Sequence, residues 1–358
     1  MSMSPFLPQG SSSRRARVLA RRRSRRRRGL AFAALVLVAA AAAALFLFAH
    51  SGTTHGSAAA SDGLTKHTRP RHAATSARSP AHGRPPLALD LSGTNDPVQV
   101  SFHNPPLAGL LFNLDTGRVL WELDPTRVLP IASLTKMMTA LLAVRSQGPD
   151  TPVLITHNAV DAAGSRVGLL PLHKHVSLET LLYGLLLPSG NDAAVALAES
   201  VAGAISPFVT TMNREAARLG LGCTHYTSPD GLSNGNRSCA ADLAELAEVD
   251  LAQPRIATIV GSESAVLPFP IKGGKLYLYN NNPLLRYGYP GTTGLKTGET
   301  EAAGKCLVGT ATRDHVRLGV VLLHSPELGR QAAYLLDRGF EDVYGQRPVP
   351  SPPIPADQ

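Results

Sequence analysis

Ser133-Leu134-Thr135-Lys136, inside the run Ala132-Ser133-Leu134-Thr135-Lys136-Met137-Met138-Thr139-Ala140, sets a hydroxyl and an amine three residues apart. On a helix that spacing puts both side chains on one face, with the amine in reach of the hydroxyl. A serine hydroxyl is a poor nucleophile at neutral pH and needs a base beside it. A lysine can be that base only if its pKa falls, which burial and a second nearby cation both bring about. Residues 133–145 are good helix formers with no breaker, and Gly148-Pro149 stops the run, so a buried helix is expected here. Read alone, the four residues also fit a helix cap followed by a surface lysine.

Two further motifs follow in order. Ser189-Gly190-Asn191 falls in a polar turn between two apolar helical stretches, 178–187 and 192–201, and helical patterns continue at 208–219 and 240–251. Lys296-Thr297-Gly298 lies just ahead of two β-type runs, 303–311 and 316–323, joined at Arg313-Asp314, and 326–344 reads as a closing helix. At the other end, apolar runs 107–113 and 118–122 flank Asp115-Thr116-Gly117 and predict a hairpin. Strands at both ends with helices between imply a mixed sheet in which the N- and C-terminal strands pair. Lys296 is then the natural second cation for Lys136. The helix N-terminus at Ser133 favours an oxyanion there.

With Ser189-Gly190-Asn191-Asp192-Ala193, Gly294-Leu295-Lys296-Thr297-Gly298, Met212-Asn213, Leu219-Gly220 and Asp230-Gly231-Leu232, the chain resembles the low-molecular-mass penicillin-binding proteins that are D-alanyl-D-alanine carboxypeptidases. The likeness runs over residues 97–344. It implies an α/β mixed (α+β) fold of the serine β-lactamase/DD-peptidase type, with an antiparallel sheet flanked by helices, an all-helical lobe, and the site in the cleft between them. It further implies that Ser133 is the acylated nucleophile, Lys136 its general base and Ser189 the relay of the proton to the leaving amine. Asn191 would hold Lys136 and the substrate amide, and Lys296 and Thr297 would bind the terminal carboxylate of a peptidoglycan stem peptide. Gly298 would let substrate backbone lie along the strand. The backbone N–H groups of Ser133 and Glu299 would form the oxyanion hole, and Arg330, which follows Gly329, would add a second carboxylate clamp. β-Lactams are expected to acylate the same serine, and no cofactor or metal is called for.

Departures from the family pattern are Thr293, where an acid is often found, and Glu299, whose carboxylate is expected to weaken anion binding or alter the pH dependence. A β-lactamase is the nearest alternative, but such enzymes use a glutamate to activate the deacylating water, and residues 216–244 contain none. A non-catalytic peptidoglycan-binding scaffold is the other alternative, and it has no need of the intact set. His157, His173, His175 and His225 lack the arrangement of a zinc peptidase. Cys223 and Cys239 flank a Gly/Asn-rich loop, and whether they pair depends on a distance the sequence does not give. Cys306 reads as a buried thiol.

Arginines 14, 15, 17, 21, 22, 23, 25, 26, 27 and 28 form a block whose removal takes the formal net charge from +9 to −1. The near-neutral remainder gives no reason to expect a nucleic-acid partner. Residues 30–49, apolar throughout, are long enough to span about 30 Å as a helix. With the basic block inside, the chain is expected to be a single-pass cell-membrane protein with its catalytic part outside. A cleaved secretory or twin-arginine signal, leaving a secreted protein, is the other reading. The expected organisation is a basic tail (1–29), a membrane segment (30–49), a polar tether (50–96), a catalytic domain (97–345) and a Pro-rich tail (346–358).

Overall fold

The structure, a computed structural model, describes residues 89–91, 96–168 and 170–356, which belong to one compact unit. The expectations for the basic tail, the membrane segment and nearly all of the tether lie outside the described residues. Among the described residues no single helix is long and apolar enough to cross a membrane.

Five strands form the central sheet: β1 (Ala108–Asn113), β2 (Val119–Leu123), β3 (Thr292–Thr300), β4 (Gly304–Arg313) and β5 (Val316–Leu323), in the order β2-β1-β5-β4-β3. Each neighbouring pair is antiparallel, so the N-terminal hairpin joins the C-terminal one through β1 and β5, with Leu110 opposite Val321 and Leu111 opposite Val320. The sheet is thus antiparallel rather than mixed. β1 is buried at all six positions because both of its faces are covered. Its alternating side chains part the core in two, as a period of two requires: Leu110 and Phe112 face one apolar cluster, Leu111 the other. In the β1–β2 turn, Asn113 Oδ1 accepts from the backbone N–H groups of Asp115 and Thr116, both at 2.9 Å, and Gly117 takes the left-handed conformation.

The first cluster joins the sheet to a helical lobe made of α1 (Lys136–Ser146), α2 (Leu178–Leu186), α3 (Asn191–Ala202), α4 (Ile205–Leu219), α5 (Ala240–Leu251) and α6 (Pro254–Val260). α3 packs against α1, α2 and α4. Ser177 caps α2 by accepting from the Thr180 N–H, and Gly203 and Gly220 end α3 and α4 in the left-handed conformation. The second cluster seats α7 (Leu328–Arg338), which continues into one wider turn, Gly339–Val343, on the opposite face of the sheet. Residues after 345 run back over this face, where Ile354 is buried in the same cluster.

Three features differ from the sequence reading. The Lys-Thr-Gly motif precedes the strand pair but is not a loop: it forms the middle of the edge strand β3. Its sequence, TTGLKTGET, has almost no apolar residues, so the strand is defined by its ladder to β4 and not by patterning. Second, α1 begins at Lys136, and Ser133 sits before it in a 3-10 turn, Ala132–Thr135. Third, a hairpin of Ser264–Pro268 and Lys275–Tyr279 and a single helical turn, Pro283–Arg286, fill a stretch that carried no expectation.

Cys223 and Cys239 are bonded, with Cα atoms 5.6 Å apart. The bridge closes a loop of roughly fifteen residues, for which chain entropy gives about 3 kcal/mol. The double replacement Cys223→Ser, Cys239→Ser should lower the thermal midpoint by roughly 6–12 °C, measured by calorimetry, and an unchanged midpoint would show that the bridge does not stabilise the fold.

Candidate functional site

The turn Ala132–Thr135 presents Ser133 at the junction between the sheet and the helical lobe, with Ala132 in the left-handed region at φ 47°. A non-glycine residue there is strained and persists because its surroundings fix it. Those surroundings are two close backbone approaches. A Cβ on Gly231, itself at φ 85°, would lie 1.9 Å from the Ala132 carbonyl oxygen, and a Cβ on Gly298 would lie 2.7 Å from the Ser133 amide nitrogen. The loop closed by the disulfide and the strand β3 therefore pinch the turn between them. Gly298 is required for this packing, which supplies a reason for the glycine other than room for substrate.

Lys136, fully buried at the start of α1, reaches three oxygens: Ser133 Oγ at 2.8 Å, Asn191 Oδ1 at 2.6 Å and the Asp230 carbonyl at 2.5 Å. An amide oxygen and a backbone carbonyl can only accept. A neutral amine has two hydrogens and one lone pair, so both hydrogens are taken up by Asn191 and Asp230 and the lone pair is left facing the Ser133 hydroxyl. Burial lowers the Lys136 pKa to about 7, against opposing pulls from Asp230 and Asp192. Desolvation is thus the main cause of the uncharged base. Lys296, also buried, is held well below its ordinary value by its own desolvation and by Lys136.

Each partner of Lys136 is itself held. Asn191 opens α3, and its Nδ2 donates one of its two hydrogens to the Ala163 carbonyl at 2.6 Å. Its neighbour Asp192 accepts from the Val167 N–H through both oxygens, and the Asn191 N–H donates to the Ser165 carbonyl at 2.7 Å. Desolvation raises the Asp192 pKa while the backbone N–H bonds oppose it. The Asp230 loop is fixed by Asn236, which accepts from the Thr227 and Ser228 N–H groups and donates to Ser228 Oγ, and by Thr139 Oγ1, which donates to the Pro229 carbonyl at 2.7 Å. Asp230 entered the sequence reading only as part of a resemblance, because a main-chain acceptor leaves no signature in residue type.

A cleft of about 480 Å³ opens over this group, lined by Ser133, Ser165, Ser189, Thr297, Gly298 and Glu299 together with Asn281, Pro283, Arg286, Lys305 and Leu328. Ser189, at φ 69° in the α2–α3 turn, is buried, and its hydroxyl finds no partner within the protein, which leaves it available to a ligand. Lys296 donates to the Thr297 carbonyl at 2.7 Å behind the cleft wall. Glu299 is exposed and stands opposite Lys305 across β3 and β4, an opposite charge that offsets it. Thr293, in place of the family acid, shares a hydrogen bond with Thr310 on β4 at 2.9 Å. Arg330, on the first turn of α7, pairs through its guanidinium with Glu327 at 2.8 Å and lines a cavity beside the cleft. The cleft arginine is Arg286, on the one-turn helix that the sequence reading passed over. Cys306 is buried, and burial pushes its thiol up to about 12, so it is chemically quiet.

The group can move one proton from a hydroxyl to an uncharged amine beside a cleft that holds a second buried amine. Comparison with known proteins fits this chemistry. The family described as D-alanyl-D-alanine carboxypeptidase matches residues 107–327. The chain is 36% identical over 245 residues to a D-alanyl-D-alanine carboxypeptidase of Mycobacterium tuberculosis, covering 66% of this chain and 82% of the relative. It is 33% identical over 242 residues to one of Bacillus subtilis, covering 65% of this chain and 61% of that relative. In three dimensions it is similar to a Streptomyces DD-transpeptidase, with a TM-score of 0.63 and 29% identity over 68% of this chain and 99% of that structure.

The pinched turn gives a direct test. Gly298→Ala should displace the Ser133 turn and cut acylation of Ser133 by a small activated ester about 100-fold, with the far-ultraviolet circular dichroism unchanged; an unaltered rate would show that β3 does not position the serine.

Proposed function

We propose that this chain, which belongs to the D-alanyl-D-alanine carboxypeptidase family, removes the terminal D-alanine from peptidoglycan stem peptides through an acyl-enzyme on Ser133. The observation that carries the reading is the buried Lys136 amine, within hydrogen-bond distance of Ser133 Oγ, Asn191 Oδ1 and the Asp230 carbonyl. Ser133 Oγ attacks the carbonyl carbon of the D-Ala-D-Ala bond as its proton passes to Lys136. The oxyanion forms beside the Ser133 amide, next to the Glu299 N–H on β3. Collapse of the adduct breaks the C–N bond, and the proton leaves Lys136 by way of Ser189 for the departing amine. Water then attacks the ester, its proton returning through Lys136 to Ser133 Oγ.

Lys296 and Thr297 receive the terminal carboxylate. A carboxylate at that end of the cleft favours the charged form of Lys296 and opposes the desolvation that otherwise neutralises it, so substrate binding draws a proton onto this residue. A β-lactam offers a strained amide and a carboxylate to the same groups. Without the glutamate that activates a deacylating water, the ester it leaves on Ser133 is long-lived. The basic block and the apolar residues 30–49 support a membrane tether that holds the catalytic part outside the cytoplasm.

Mass spectrometry of the products from a peptide ending in D-Ala-D-Ala should show release of one D-alanine, and labelled penicillin should add covalently at Ser133. Ser133→Ala should end both, and persistent labelling would overturn the assignment of the nucleophile. Because the amine must be uncharged to accept the proton, the acylation rate should fall about tenfold per unit of pH below about 7 and level off above it. A rate that declines with rising pH over this range would contradict the role of Lys136.

A further inference from the structure

A second cavity, about 500 Å³, adjoins the catalytic cleft along α7: Leu328 lines the cleft, while Glu327 and Arg330 line the neighbouring space. Its chemistry is different from that of the cleft. The cleft is bordered by Arg286 and Lys305 against one acid, Glu299, with Lys296 behind, as suits an anion. In the second cavity the charges cancel. Arg330 pairs with Glu327 at 2.8 Å, and Asp337 accepts from Arg313 at 2.9 Å and from the Tyr289 hydroxyl at 2.8 Å. A charged ligand has no unmatched partner there.

What the space does offer is an aromatic wall and amphipathic edges. Tyr334, 48% exposed, lines it together with Phe102. The two rings meet edge to face at 6.1 Å, and Phe102 meets Trp121 in the same way at 6.0 Å, so Tyr334 stands on a braced aromatic stack. Around it are the polar residues Ser101, His103 and Asn104, and residues 351–354 close the far side. A flat apolar face flanked by polar side chains, with no net charge, suits a ligand that has a C–H face and a rim of hydroxyl and amide groups.

We propose that this cavity binds a neutral N-acetylated hexosamine, the glycan unit that bears the stem peptide processed in the adjoining cleft. The proposal rests on the carboxypeptidase reading of the cleft for its biological meaning, but not for its physical test. Trp121 is the one tryptophan in the chain, and it touches the aromatic wall through Phe102. Titration of the full chain with tri-N-acetylchitotriose should therefore give a saturable change in tryptophan emission. The change should be the same in Ser133→Ala, should persist in Tyr334→Phe, and should need about tenfold more sugar in Tyr334→Ala. In parallel, kcat/KM for a disaccharide-pentapeptide should exceed that for the free pentapeptide about tenfold. Tyr334→Ala should bring this ratio near one without changing turnover of the free peptide. Absence of saturation in the wild-type chain, or an unchanged affinity in Tyr334→Ala, overturns the sugar site. Failure to cleave either peptide overturns the reading of the cleft, and the emission titration still decides the cavity.

Discussion

Two oxygens that can only accept, one on Asn191 and one on the Asp230 backbone, confront a buried amine. Each takes a hydrogen from Lys136, and desolvation favours the uncharged amine, which has no third. The remaining lone pair is thereby aimed at Ser133. Lowering a lysine pKa from 10.5 to about 7 corresponds to about 5 kcal/mol between its two protonation states. That free energy is drawn from folding: the unfolded chain binds a proton that the native one resists, so this residue costs stability near neutral pH, and the cost fades as pH rises toward the ordinary lysine range. A group kept at such a cost is characteristic of a functional site.

Several otherwise separate features of the fold serve that contact. The antiparallel sheet brings β3 to an edge where Gly298 presses on the nucleophile turn. The disulfide closes the loop whose carbonyls hold Lys136 and Thr139, and Gly231 seats this loop against Ala132. From the opposite side the α2–α3 turn delivers Ser189 and Asn191, and Asn191 and Asp192 together tie down residues 163–167. Serine and base thus come from one segment and the relay from another, and each is fixed by contacts that tolerate little displacement.

Much of this was legible in the sequence. The Ser133-to-Lys136 spacing, the polar turn at Ser189 and the flanking apolar periodicities follow from helix geometry and turn chemistry, and the β1–β2 and β4–β5 hairpins from alternation and turn residues. What escaped detection depends on long-range pairing or on the main chain. β3 is a strand only because β4 pairs with it. The Asp230 carbonyl carries no side-chain signature, and the hairpin at 264–279 turns Leu276 and Leu278 to the core while Val266, Tyr277 and Tyr279 stay exposed. Arg330 and Arg286 show the same limit: a guanidinium reaches several ångströms from its Cα, so its target is set by neighbours such as Glu327 and not by its place in the chain.

The central claim concerns the charge on one nitrogen, and it is measured most directly by the pH titration of the Lys136 Cε resonance in ¹³C-lysine-labelled protein, assigned by its loss in Lys136→Met. The account predicts a midpoint near 7 in the ligand-free protein. A resonance that stays at the position of a charged lysine to about pH 10, the ordinary range, would mean that the amine has no free lone pair for Ser133 and would contradict it.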